Sequence, residues 1–141
     1  MLLIGDEFGD FKKYDLRQIK HHKIKVLGKI TDENELCEYF NRTKIFVYPG
    51  SAGLSIIHAA SYGVPVLVSD KWSAHMPEIT LVRDYLGGAT FNFGNTADFA
   101  KMIIHCLENK ILLKKLSENS IQACEDAFNI DAMIRNISAI I

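Results

Sequence analysis

Three short apolar runs, IKVLG (24–28), KIFVY (44–48) and VPVLVS (64–69), are separated by longer amphipathic stretches. This alternation constrains the fold more than any other feature. A run that is apolar at every position suits a strand covered on both faces, the situation in a parallel sheet flanked by helices. The expected class is therefore α/β, a doubly wound, Rossmann-like parallel sheet of about five or six strands.

The remaining elements fit around these runs. Residues 2–5 read as a first strand ending in glycine, and 11–21 as a helix. Asp32 with Glu35 three residues on has the layout of a capping box, so a helix is expected to run to Phe40. A helix from Gly53 to Tyr62 should stop at Gly63, and Pro65 falls near a strand start, where the missing amide is tolerated. Residues 70–88 suggest a loop with one helix around 77–85, and 89–93 a last strand. Helices are expected over 97–108, 112–127 and 130–141; in the first, Phe99, Met102, Ile103 and Cys106 recur at helical spacing.

The 141 residues suit one domain spanning the whole length. With 48% hydrophobic and 23% charged residues the chain is of globular type, and a formal net charge of -1 gives no reason to expect nucleic acid. The cluster Lys20, His21, His22, Lys23 and Lys25 is either a solvated turn or a small anion site. Cys37, Cys106 and Cys124 show neither disulfide nor zinc spacing, which fits a reducing compartment and an expected cytoplasmic location. No apolar run reaches the roughly 20 residues of a membrane span. The chain opens directly on a core strand, which leads to the expectation that a segment upstream is missing.

Ligands of open parallel sheets bind beyond the carboxyl ends of the strands. Glycine-bearing turns follow strands there at Gly5-Asp6, Gly28-Lys29 and Pro49-Gly50. The third leads from strand to helix through small residues, Gly50, Ser51, Ala52 and Gly53, into Leu54 and Ser55. Small residues admit close approach to the backbone, and a helix start offers free amides, so the turn suits a phosphate or diphosphate. A tight turn packed for its own sake is the alternative. The loop Trp72-Ser73-Ala74-His75-Met76-Pro77-Glu78 could border the same edge, with His75 or Glu78 as ligand contacts or Trp72 as cover for the sheet end.

In order and spacing these pieces resemble the C-terminal, donor-binding domain of family 4 glycosyltransferases, which have the GT-B fold. LLIGDEFG is similar to that family's strand and Gly-Asp-Gly turn, and IKVLGKI with DENELCEYF to its next strand and helix. KIFVYPGSAGLSIIHAASYGVPVLVSD resembles the signature that carries the donor site, and TADFAKMI with LLKKLSENS the family's ending. The resemblance implies a nucleoside diphosphate sugar as donor substrate, retention of configuration, and no metal or other cofactor. Consistently, no Asp-x-Asp motif is found in the sequence. Donor contacts would fall to Gly5, Lys29, Gly50, Ser51, Gly53, Leu54, Ser55 and His58; no catalytic residue is assigned.

Aligned on Gly53-Leu54, the family's two signature glutamates fall at Gly50 and His58. The first glutamate contacts the transferred sugar and the second holds the ribose hydroxyls. Glycine supplies no side chain, whereas histidine can still exchange hydrogen bonds with a diol. His58 either takes that role or simply packs within its helix. The pair resembles a bacterial capsule-type variant, and polysaccharide biosynthesis is the implied setting. The family's Arg and Lys on the diphosphate would precede Met1, and the N-terminal acceptor domain is expected as a missing or separate partner that docks on an exposed apolar surface. The chain alone is then expected to be inactive. A non-catalytic donor-binding subunit paired with an acceptor-binding partner is the alternative, and a nucleotide-sugar epimerase a third. Nucleic acid and a transmembrane segment are not expected; peripheral membrane association stays open.

Overall fold

The computed structural model describes residues 1–4 and 25–139. The expected helix over 11–21, the turn at Gly5-Asp6 and most of the Lys20–Lys25 cluster lie outside the described residues. The chain divides into two compact units, Met1–Tyr39 and Phe40–Ile141.

In the first unit, β1 (Leu2–Ile4) pairs in parallel with β2 (Lys25–Gly28), with a register shift between Leu3 and Ile4. Helix α1 (Glu33–Arg42), whose last three residues belong to the second unit, starts where the sequence places it: Asp32 Oδ1 accepts the Glu35 amide at 2.9 Å. That bond satisfies one of the amides left open at a helix start.

The second unit holds a parallel sheet in the order β3 (Phe46–Tyr48), β4 (Val66–Ser69), β5 (Gly88–Phe91). The central strand β4 shows why an unbroken apolar run is needed. Val66, Leu67 and Val68 are fully buried, and the strand is paired on both sides. Helix α2 (Leu54–Ser61) joins β3 to β4 and stops as a Schellman motif. The Gly63 amide donates to Ala60 O at 2.8 Å and the Val64 amide to Ala59 O at 3.0 Å. Gly63 itself has φ 68, the left-handed conformation this motif requires.

Residues 70–88 form shorter pieces than the expected single helix: 3₁₀ turns at Trp72–Ala74 and Pro77–Ile79, then α3 (Thr80–Arg83). Helices α4 (Thr96–Glu108), α5 (Lys110–Asp126) and α6 (Ile130–Ser138) follow, each N-capped by an asparagine side chain, Asn95, Asn109 and Asn129. All five described strands and the later helices thus occupy the expected segments, in a parallel α/β arrangement. On α6 only Ala132 is buried, while Ile130, Met133, Ile134 and Ile137 are exposed. No helix among the described residues is long and apolar enough to cross a membrane.

Candidate functional site

Pro49 follows β3 and carries no amide for a ladder, so the strand ends there. The chain then turns through Gly50, Ser51, Ala52 and Gly53 into α2. Gly53 is the N-cap residue, has no side chain to cap with, and accepts the Ile56 amide at 3.1 Å. No acidic residue lies in the first turn of α2. The helix therefore presents its partial positive charge without an internal counterion. Leu54, at its first position, is 74% exposed, and Gly50 and Ser51 are exposed beside it. An isolated apolar side chain that far out of the core, next to open backbone amides, suits a surface that meets something else.

The turn is held from one side by the loop after β4. Ala52 is completely buried, and its two backbone groups both bond to that loop. The Ala52 amide donates to His75 Nδ1 at 3.0 Å, and Ala52 O accepts the Met76 amide at 2.9 Å. The other ring nitrogen, His75 Nε2, lies 2.9 Å from Ser69 O and 3.1 Å from Ser69 Oγ, at the buried end of β4. One imidazole thus joins the carboxyl ends of two adjacent strands. Met76 also packs over the turn: a Cβ on Gly53 would lie 3.4 Å from Met76 Cγ. Glu78, in the 3₁₀ turn Pro77–Ile79, keeps Oε2 buried with no hydrogen-bond donor among the described residues.

Of the residues singled out in the sequence, the structure brings Gly50, Ser51, Gly53, Leu54, Ser55 and His58 together on one strand-turn-helix segment. Lys29 follows Gly28 at the end of β2 in the first unit, and Gly5 lies outside the described residues. His58, half-buried on α2, packs its ring 5.4 Å from Phe40 and 5.7 Å from Tyr62, which themselves stack at 5.0 Å. His75 has both ring nitrogens engaged within the protein, which leaves the ligand contact weighed for it without a free nitrogen. The contributions of Ala52 and Ser69 went unread in the sequence. The one signal was a serine closing an otherwise apolar strand.

Neither Cys106 nor Cys124 has the character of an activated nucleophile. Burial pushes the Cys106 thiol up, and burial followed by the Glu125 charge does the same for Cys124. Among the described residues no three His, Cys, Asp or Glu side chains converge as a metal site would require.

Comparison with known proteins agrees with this fold. The family described as "Glycosyl transferases group 1" matches residues 1–109. Among curated proteins none matches the sequence. A glycosyltransferase from Rickettsia africae superposes with a TM-score of 0.76 at 18% identity, over 99% of this chain and 38% of that one. HepE from Anabaena, crystallised with UDP, gives 0.77 at 21% identity, over 99% and 39%. The C-terminal domain of LpcC, a glycosyl transferase group 1 family protein from Francisella tularensis, gives 0.68 at 23%, over 86% and 64%. At such identities the likeness shows the fold, here the Rossmann-like domain of GT-B glycosyltransferases. The chain spans less than half the length of the first two proteins. With a match over residues 1–109 of 141, the chain belongs to the glycosyl transferases group 1 family.

Proposed function

We propose that this chain is the donor-binding half of a retaining GT-B glycosyltransferase of the family 4 type, holding a nucleoside diphosphate sugar at the amino end of α2. The observation that carries this reading is the uncapped start of α2, set beyond β3 on a turn of small residues and free of acidic side chains. The pairing of HepE with UDP and with UDP-glucose in crystals supports the ligand class. In this reading the diphosphate lies against the Gly53, Leu54 and Ser55 amides. Charge develops on the diphosphate as the glycosidic bond breaks, and fixed amide dipoles stabilise that charge without reorganising. No metal or other cofactor is called for. His58 reaches the ribose.

The acceptor is bound by a separate or adjoining domain, in keeping with a chain that spans 38% and 39% of two GT-B neighbours. Polysaccharide biosynthesis in the cytoplasm is the proposed setting. A second reading, a non-catalytic donor-binding subunit, is favoured by Gly50, which has no side chain where the family places a carboxylate.

The direct test is a titration of the ¹⁵N-labelled chain with UDP. Amide shifts should concentrate at residues 50–58, strongest at Leu54 and Ser55. Saturating UDP with no response in that segment would remove the donor site.

A further inference from the structure

His75 ties the turn before α2 to the end of β4 through both edges of its ring. Ala52 can only donate through its amide, so Nδ1 of His75, 3.0 Å away, must accept. The ring proton then resides on Nε2, which donates to Ser69 O at 2.9 Å, with Ser69 Oγ alongside at 3.1 Å. An imidazole of this tautomer supplies an acceptor on one edge and a donor on the other. Both partners are buried, Ala52 completely and Ser69 at 1% exposure, so removing the ring takes a bond from each at a place where an unmade bond is costly. The Met76 amide closes the same contact by donating to Ala52 O at 2.9 Å. Ala52 directly precedes Gly53, the N-cap of α2, so whatever fixes Ala52 fixes where the α2 amides point.

We propose that His75, as the Nε2-protonated neutral ring, is a positioning residue: it locks the Gly50–Gly53 turn to the end of β4 and aims the α2 amides at the diphosphate without touching the donor. This role rests on the donor-site reading. Glycine-rich turns have many conformations, and holding one of them in advance removes an ordering penalty that ligand binding would otherwise meet. His75 therefore acts on affinity through Ala52, in contrast to a direct ligand contact.

The test uses the full 141-residue chain, with UDP as the probe. Long-range ¹H–¹⁵N spectra should show His75 Nδ1 bare and Nε2 protonated, both before and after UDP saturation. His75→Leu, which keeps bulk but neither polar edge, should weaken UDP binding about tenfold or more. His75→Asn, whose Oδ1 can accept from the Ala52 amide, should recover most of that loss. A ring protonated at Nδ1, wild-type affinity in His75→Leu, or an asparagine variant no better than leucine would each overturn the proposal. Should His75→Leu not fold, the wild-type tautomer and the affinity of His75→Asn decide: a protonated Nδ1, or a folded asparagine variant about tenfold weaker, overturns it. Failure of the donor site itself looks different. There the wild-type chain gives no shifts at residues 50–58, whereas loss of the positioning role alone leaves those shifts intact and makes wild type and His75→Leu equal.

Discussion

Gly50 is where a side chain can be added most cheaply. Its φ is outside the left-handed region, and among the described residues a Cβ there would meet only Tyr48 Cε1, at the ordinary distance of 3.5 Å. Gly50→Glu should therefore fold as the wild type does. A carboxylate at the turn repels the diphosphate slightly and offers a strong acceptor to sugar hydroxyls, since hydrogen bonds to charged groups are worth about 1.5–3 kcal/mol. The expected outcome is a rise of roughly tenfold in the preference for UDP-glucose over UDP, read by calorimetry on both ligands. An unchanged ratio would place the sugar away from position 50. His58 allows a similar separation of roles. Phenylalanine there keeps a ring against Phe40 and Tyr62 but has no hydrogen-bonding edge. His58→Phe should weaken UDP binding by roughly tenfold. Unaltered affinity would assign the histidine to a structural role alone.

Among the elements, α5 braces the sheet from behind. Ser117 Oγ donates to Gly63 O and Ser120 Oγ to Gly87 O, each at 2.6 Å, and Asn119 Nδ2 to Leu86 O at 3.0 Å. The helix thus holds both the end of α2 and the entry to β5. Ser120 is fully buried, so Ser120→Ala leaves the Gly87 carbonyl with only the long 3.5 Å bond from the Val66 amide and should lower stability by about 1–2 kcal/mol. Gly88→Ala should be worse, because its Cβ would collide with Val66 O and Val66 Cγ2 across the β4–β5 ladder. Urea melts of the two variants give the order; equal midpoints would refute it. Helix α6 is the opposite case. It has nine residues, buries only Ala132, and a helix that short is marginal unless packed. Its amides should exchange with deuterium well before those of α5 in the chain alone, and equal protection would mean that its exposed face is covered in solution.

Elements such as these were legible in the sequence to different degrees, for physical reasons. The strands could be read because burial on both faces demands unbroken apolar runs, as in Val66–Ser69. Asp32 and Gly63 could be read because caps need particular chemistry at fixed offsets. The piecewise 70–88 segment could not, since 3₁₀ turns have weak periodicity. The His75 clasp was hidden for a deeper reason. Its partners, Ala52 and Ser69, lie 23 and 6 residues away and act largely through backbone groups, which a side-chain pattern records only in the serine that closes β4.

What the 141 residues do by themselves follows from the contacts they can offer a donor. The turn supplies neutral amides to a diphosphate that carries a full charge, and charge-assisted bonds are roughly twice as strong as neutral ones. A site built from the α2 start, without an arginine or lysine in the turn 49–55, is short of that contribution by about 3 kcal/mol for two such bonds, or a hundredfold in affinity. Glycosyl transfer in a GT-B enzyme also takes place between two domains, and the second wall is what excludes water and presents the acceptor. In the proposed reading this chain supplies one wall. The chain alone should thus bind UDP and UDP-glucose only weakly, above micromolar, and release no sugar to an acceptor. Calorimetry with several nucleotide sugars, run beside a transfer assay with and without an acceptor-binding domain, separates the possibilities. Transfer that appears only when that domain is added supports the enzyme half. Binding without transfer under either condition supports the non-catalytic subunit. Tight binding or transfer by the chain alone would mean that the amides of one helix, aimed by His75, suffice for what two domains were expected to share.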